Sequence, residues 1–586
     1  MREFLQRARY GWLYLAAFVL VWASGVIGFL QHYATPGGHY DIEGGWLDAA
    51  YDSFKLFTLG YGGGPIGRFA NNPLLHVARI AAPIVFALGA LLALAAIFRD
   101  RFRRFRVKHF WRDHVVVCGL GEKGFRLVKE FRRAGTPVAV IEQNPADPLL
   151  EPVRETGAAV IVGDARRPDS LRLAGVRRAS NVIAVCGEDG VNAEIALQAS
   201  QEAEGRHARP LNCVSHVTDP HLCRLLKERE WEAGRGGGFR LEFFNIYSDG
   251  AAALLREHPP FDESAPGPAS PPRILVVGFG QLSQSLVRDL ARRWARRRDG
   301  AGPLRLTIAD QDLERRWREF LQRFPYVESA CEVELRELER EVVASSPSLI
   351  ARELGSPPPD VVYVSLENDS ASVSAALAFR SAFPGARFPI VCVLEADVGL
   401  ADLIDRVERG EFRNLHAFPL AKRTCTCEIV LQNEIEILAR ANHEHYRAHR
   451  ERSAAGRPAD ASLRPWAELP ESLKESNRQF VDHLTEKLRT IGYRIVPLED
   501  WFAEPIPLAP DEIELLARFE HERFIRERSR DGWRQGPKKD IARKLHPDLV
   551  PWEELSEEIR EYDRNLVRKI PDLLQSVDRT LRRVEG

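Results

Sequence analysis

The sequence predicts a membrane α-helical module of two spans with a re-entrant loop, followed by two α/β Rossmann-like domains and a small all-α domain. Three observations carry this. Gly11 to Leu30 and Ile80 to Phe98 are charge-free apolar runs long enough, at 1.5 Å rise per residue, to cross about 30 Å of hydrocarbon. Two β-branched runs, at His114 and Arg273, each lead into a glycine-rich turn and a helical pattern. The C-terminal quarter repeats itself: Leu438-Ala439-Arg440, His443-Glu444 and Tyr446 recur as Leu516-Ala517-Arg518, His521-Glu522 and Phe524.

At 586 residues the chain exceeds one core and divides at roughly 150 residues per unit. The expected segments are 1–110 (two-span module), 111–258 and 273–436 (α/β domains, joined by a Pro/Gly/Ser-rich linker at 259–272), and 437–586. A formal net charge of −1 leaves no overall basic field, so nucleic acid is not an expected partner. The eight cysteines are scattered, as thiols in a reducing compartment are. Cys425, Cys427, His443 and His445 are spaced i, i+2, which on a helix points them to different sides, so no metal site is expected.

Arg2, Arg7 and Arg9 precede the first span, and Arg99 to Lys108 carries six basic residues after the second. Both termini are therefore expected on the cytoplasmic side of an inner (cell) membrane, in a multi-pass chain whose first partner is the lipid bilayer. The first run is too long for a cleavable signal. The connecting loop is acidic, with Asp41, Glu43, Asp48 and Asp52. Within it Trp46 to Phe57 is too short to cross and suits a re-entrant helix, tolerated at that depth only where it is buried or lines water.

Thr58, Leu59, Gly60, Tyr61 and Gly62 follow directly. This string resembles the potassium-channel selectivity filter, in which stacked carbonyls and a Thr hydroxyl replace the hydration shell of a potassium ion. Leu59 stands where Val is usual, Gly63 where Asp is usual, and Phe57 where a second Thr is common, which leaves the choice among cations open. One loop and two spans cannot enclose a pore, so the resemblance implies a homotetramer.

In the first α/β domain, Gly119, Gly121 and Gly124 form GxGxxG between a strand and a helix, the context that brings backbone N–H groups to a phosphate. The next strand ends in Glu142, placed for a ribose hydroxyl, and Asp164 lies near the same crevice. Through HVVVCGLGEKG, VIEQN, VGDARRPDSL and HVTDPHLCRLL this domain resembles the RCK or TrkA-N family, the regulators of potassium conductance. The resemblance implies NAD or an adenine nucleotide as a regulatory ligand; a unit that has lost nucleotide binding is the alternative.

The second α/β domain repeats the plan with Gly278, Gly280 and Asp310, but Ser283 replaces the third glycine. Tandem domains of this kind resemble those that form gating rings beneath channels.

In the C-terminal domain a degenerate first copy (437–493) precedes a full second copy (511–575). HERF, DGWRQGPKKD and ARKLHPDLVPWEEL resemble the RyR domain, the ryanodine receptor repeat. An exposed Trp533 beside Gly536, with Arg534, Lys538 and Lys539, suits a nucleobase stacked on indole with a phosphate nearby; His521 and Pro537 complete the candidate set. The alternative is that Trp533 and Pro537 pack the loop. The resemblance implies an unidentified nucleotide-derived ligand, in stress or antiviral signalling.

Together these resemblances imply a ligand-gated potassium (cation) channel whose tetrameric pore is controlled by nucleotide-type ligands. The alternative is a membrane-anchored, nucleotide-sensing regulatory subunit of a separate transporter, with no pore of its own. An enzyme is not expected, since no nucleophile or paired acid and base stands out.

Overall fold

The computed structural model describes residues 2–33, 45–59, 72–206, 210–233, 238–262, 270–297, 302–338, 358–383, 387–395, 399, 401, 404, 414–431, 434–453, 461–530, 532–538, 540 and 543–584. They divide into two compact units, 1–106 and 107–586.

In the first unit, the helices Arg2–Tyr33 and Pro73–His109 flank the short helix Trp46–Phe57, which matches the expected re-entrant segment. Two stretches, Tyr14–Gln31 and Pro73–Leu94, are long and apolar enough to cross a membrane. Only 17% and 11% of them is buried, so their apolar side chains point outward, unlike those of a soluble core helix. The short helix is held by polar contacts to backbone: Ser53 Oγ donates to Trp22 O at 2.7 Å, and Trp22 Nε1 to Ala50 O at 3.3 Å. Gly25 makes room for it, since a Cβ there would lie 2.2 Å from Ser53 Oγ. Phe57 is buried against Phe18, ring centroids 4.5 Å apart. Gly89 serves packing: a Cβ there would meet Tyr14 Oη at 2.0 Å, and Tyr14 donates to Val85 O.

In the second unit, two six-stranded parallel sheets follow one another. The first comprises β1 (Val115–Cys118), β2 (Val138–Glu142), β3 (Ala159–Val162), β4 (Asn181–Ala184), β5 (Leu211–His216) and β6 (Phe239–Phe244), in the order β3-β2-β1-β4-β5-β6. The second comprises β7 (Arg273–Val277), β8 (Leu304–Asp310), β9 (Cys331–Glu337), β10 (Val361–Val364), β11 (Ile390–Leu394) and β12 (Leu415–Pro419), in the order β12-β11-β10-β7-β8-β9. Counted within each sheet the two orders are the same, that of a doubly wound dinucleotide-type fold. β1 and β10 are buried at all four positions, as strands covered on both faces must be.

The repeat extends to side chains. Asp189 Oδ1 accepts from Thr218 N at 2.9 Å in the first sheet's crossover, and Asp369 Oδ1 accepts from Glu395 N at 2.7 Å in the second's. β6, β9 and β12 are additions to the sequence reading. β9, at a sheet edge, alternates the exposed Glu332 and Glu334 with the half-buried Val333 and Leu335.

The C-terminal region is helical, with two copies of a helix pair: Glu434–Ser453 with Glu471–Asp482, and Pro510–Arg530 with Glu557–Arg568. Their equivalence is close. His443 Nε2 lies 2.8 Å from Arg464 O and His521 Nε2 2.7 Å from Val550 O. Trp466 and Trp552 each donate to a glutamate, Glu436 and Glu514, at 3.2 Å; Arg478 and Arg564 bond the same glutamates at 2.6 Å. Two short strand pairs add to the helices: β13 (Tyr493–Pro497) and β16 (Arg579–Arg583) pair antiparallel and join the ends of the two copies, and β14 (Arg534–Gln535) and β15 (Leu545–His546) pair parallel.

Candidate functional site

The first site lies where β1 and β4 adjoin, the point at which strand order reverses and at whose carboxyl end ligands bind in open α/β sheets. Each glycine has its own task. Gly119 has φ +95°, and its N–H donates to Ile141 O at 2.9 Å. Gly124 lies against the turn, where a Cβ would come within 2.1 Å of Gly119 O. Gly121, which caps the helix Glu122–Arg133, has nothing within 4 Å of its would-be Cβ. That open space, at a helix N-terminus, is what a phosphate needs. The helix is fixed by Leu127, Val128 and Phe131, buried on the same face as Gly124.

Glu142 stands half-buried at the end of β2 with one backbone N–H on each oxygen: Leu120 N on Oε2 at 2.9 Å and Asn144 N on Oε1 at 2.8 Å. A carboxylate so oriented keeps acceptor capacity for a ribose diol. The turn thus leaves room for a phosphate at Gly121, with a carboxylate at Glu142 able to accept from a ribose diol. Asp164, after β3, is tied instead to Arg166 at 2.8 Å, whose hydrogen bond holds its carboxyl below the usual range.

Sequence reasoning missed three groups here. Asn192, fully buried, accepts from Cys186 N at 2.8 Å and donates to Cys186 O and His216 O, pinning the loop after β4 to the end of β5. Lys123 Nζ lies 3.4 Å from His216 Nε2; burial, then Lys123, push His216 down to about 4, so it is neutral. Burial, then Glu142 and Asp164, push the Cys186 thiol up to about 11.

At the second turn, Gly278 has φ +89°, and a Cβ there would meet Ser365 O at 2.1 Å. Gly280 is as open as Gly121. Asp310 is buried and accepts from Phe279 N and Gln311 N, each at 2.8 Å.

A second site lies between the two C-terminal copies, in a cavity of about 360 Å³. Its lining includes His443 and Tyr446 from the first copy and His521 and Phe524 from the second. Two of its polar side chains each carry a buried atom with no hydrogen-bond partner among the described residues. Asn442 donates to Asn477 at 2.8 Å, but its Oδ1 accepts nothing. Arg528, 8% exposed, lies over Phe524 and Trp533, with 5.5 and 5.1 Å to the ring centroids; its Nε is unbonded and it makes no ion pair. An unpaired buried guanidinium carries a large desolvation cost, which an anionic ligand would offset.

In the cavity lining Glu520 is bonded to Arg523, and behind it to Lys487. Burial alone would raise Glu520, but Arg523 and Lys487 bring it down to about 2. Burial, then Glu520 and Asp548, push Asp563 up to about 8, and its Oδ2 lies 3.6 Å from His521 Nδ1.

Among the candidate residues of this domain, His521 lines the cavity. Trp533 is half-buried rather than exposed, because Arg528 covers it and His546 meets its edge. Arg534, Pro537 and Lys538 are exposed on the adjoining loop, and Gly536 is buried against Leu545. Lys539 lies outside the described residues, as do Gly60, Tyr61 and Gly62 of the filter string. Thr58 and Leu59 are described: Thr58 Oγ1 donates to Lys55 O at 3.2 Å, and Leu59 has φ +55°. Among the described residues no cluster of side chains could hold a metal ion.

The TrkA-N domain family matches residues 115–232, and the RyR domain family matches residues 510–583. The chain carries a TrkA-N domain and a RyR domain. It is similar to potassium channel protein 1 of Methanocaldococcus jannaschii, 26% identical over 156 residues, covering 25% of this chain and 46% of the relative. It is also similar to the voltage-gated potassium channel Kch of Escherichia coli K12, 28% identical over 185 residues, covering 29% and 44%. Both named relatives are potassium channels rather than enzymes, and the chain spans under half the length of each. Among solved structures, the GsuK channel bound to NAD is 13% identical, covering 86% of this chain and 88% of that one, with a TM-score of 0.38. The human SLO3 gating ring is 10% identical, covering 54% and 82%, with a TM-score of 0.36.

Proposed function

We propose that the chain is one subunit of a homotetrameric, potassium-conducting channel, multi-pass in the cell membrane with both termini cytoplasmic, whose opening is controlled by nucleotide-type ligands. The pore module comprises residues 1–110, the α/β domains 111–258 and 273–436, and the sensor 437–586. The observation that carries this reading is the combination, in one chain, of two outward-apolar helices around a short inner helix with an open nucleotide turn at Gly121. The channel relatives support it.

In this reading the carbonyls of Thr58 to Gly62 coordinate the permeant potassium ion. NAD or an adenine nucleotide binds with its phosphates over Gly119, Gly121 and Gly124 and its ribose on Glu142. A nucleotide-derived ligand enters the cavity between the C-terminal copies, its anionic group on Arg528 and a donor on Asn442 Oδ1. Shifting the pore from 1:99 to 99:1 takes about 5.5 kcal/mol of differential binding. Four equivalent sites supply that at about 1.4 kcal/mol each, a tenfold preference per site.

The test is ion flux through the purified chain in liposomes, potassium against sodium, with NAD, ADP and cyclic oligonucleotides added in turn. Potassium flux that a nucleotide alters supports the channel. No flux under every ligand, with tetramers intact, contradicts it and favours a regulatory subunit of a separate transporter.

A further inference from the structure

The two glycine-rich turns share a topology and differ at the atom a nucleotide would use. In both, the acid at the end of the second strand is anchored by the N–H of the residue between the first two glycines: Leu120 N to Glu142 at 2.9 Å, Phe279 N to Asp310 at 2.8 Å. In both, a following backbone N–H takes the other oxygen, from Asn144 and from Gln311. There the likeness ends. Glu142 is half-buried, and residues 143–149 contain no lysine or arginine. Asp310 is 3% exposed, and Arg316 Nη1 donates to its Oδ2 at 2.7 Å. The same guanidinium donates through Nη2 to Phe279 O and lies 5.8 Å from the centroid of the Phe279 ring.

A ribose diol binds such a carboxylate by donating two hydroxyls to it. At Asp310 a planar guanidinium already supplies the donor and covers the turn beside it. Removing Arg316 from that place would leave a buried carboxylate without its counter-charge, so displacement by a neutral ribose is unfavourable. The phosphate end is not obstructed, since Gly280 is open; the closure is at the ribose end. Ser283 adds a second difference. In the first turn a Cβ at the equivalent Gly124 would lie 2.1 Å from a backbone oxygen, so a serine there needs room that the first turn does not have. The Ser283 Oγ is buried there with no hydrogen-bond partner.

We infer that Arg316 is a built-in substitute for ligand at the second turn, bonded to Asp310 where a ribose would bind, so that of the two glycine-rich turns only the first takes up NAD or ADP. The second α/β domain then keeps one arrangement around its turn whatever the nucleotide concentration, and the first responds. This rests on the nucleotide reading of the first turn proposed above.

The experiment is equilibrium binding of radiolabelled NAD and ADP to the detergent-solubilised full chain, counted as nucleotides per chain. The unaltered chain binds one, and Gly121→Asp, which places a carboxylate in the first phosphate position, binds none. Arg316→Ala on the Gly121→Asp background regains up to one. The Gly121→Asp measurement keeps the inference testable even where Arg316→Ala fails to fold. Two nucleotides on the unaltered chain, or one remaining on Gly121→Asp, overturns the inference and leaves the nucleotide reading standing. No nucleotide on the unaltered chain overturns the nucleotide reading, and this inference with it.

Discussion

Arg240 on β6 grips Glu475 of the helix Glu471–Asp482 with two hydrogen bonds, 2.7 and 3.1 Å, and the same guanidinium reaches Asp482 at 2.6 and 2.9 Å. The Arg240 side chain is 5% exposed. The edge strand of the first sheet is thereby fixed to the helix whose Ser476, Asn477 and Phe480 line the C-terminal cavity. Arg240→Ala removes a buried counter-charge from two half-buried carboxylates, a change that costs less than the roughly 3–5 kcal/mol of a fully buried pair because Glu475 keeps Arg478 within 3.5 Å. The full chain is expected to unfold at lower temperature, with faster amide exchange in β6 and the Glu471–Asp482 helix. Unchanged exchange there contradicts the coupling.

The same contact gives a pH signature. Against the effect of burial, the hydrogen bond and charge of Arg240 hold Glu475 below the usual carboxylate range. A group whose folded pKa is depressed contributes stability above its ordinary value near 4.3, lost as pH falls through the folded one. Melting temperature is therefore expected to fall on acidification below about pH 4.3, and by less in Glu475→Gln.

Asp563 gives the opposite sign. With its folded pKa pushed up to about 8, it holds a proton that the unfolded chain releases near its ordinary value. Its contribution to stability falls as pH rises from about 4 towards 8, by at most about 1.4 kcal/mol per unit. Asp563→Asn is expected to exceed the unaltered chain in melting temperature by a margin that is small at pH 5 and grows towards pH 8. Equal curves at both pH values contradict a proton on Asp563.

The glycines of the first turn separate by role. Gly121→Asp meets open space, so it is expected to leave the melting temperature nearly unchanged while lowering nucleotide affinity at least tenfold. Gly124→Ala drives a methyl against Gly119 O and is expected to lower stability by about 1–3 kcal/mol, as overpacking does. Calorimetric titration and thermal unfolding of the two variants read the difference.

Arg528 was hidden from sequence reasoning, and the reason is structural. The cavity is built from copies some eighty residues apart, and Arg528 becomes a buried, unpaired cation only when Phe524 and Trp533 close over it. A signal was nonetheless present: at the matched positions Asn442 and Glu520, and again Asn477 and Asp563, the repeat changes a neutral amide to an acid, and all four side chains line the cavity. The first turn was legible because β1 and its glycines are contiguous. β9 was not, since its run CEVELRE alternates charge at a sheet edge, and Arg316 reaches Asp310 from the next helix, outside the glycine motif.

Arg528→Met follows from that placement. Replacing an unpaired buried charge with an apolar side chain of similar length is expected to raise the melting temperature. The affinity of the C-terminal cavity for an anionic ligand is expected to fall about tenfold or more, since hydrogen bonds to a charged group contribute about 1.5–3 kcal/mol. A fall in both contradicts a site held open for a ligand.

The most direct test of the account is single-channel recording from the purified full chain in a planar bilayer under a potassium gradient, with NAD or ADP applied to the cytoplasmic side. The account predicts currents that reverse near the potassium equilibrium potential, whose open probability shifts with nucleotide, and whose shift is lost in Gly121→Asp. Intact tetramers that pass no current under any ligand, or a current indifferent to nucleotide in the unaltered chain, would contradict it.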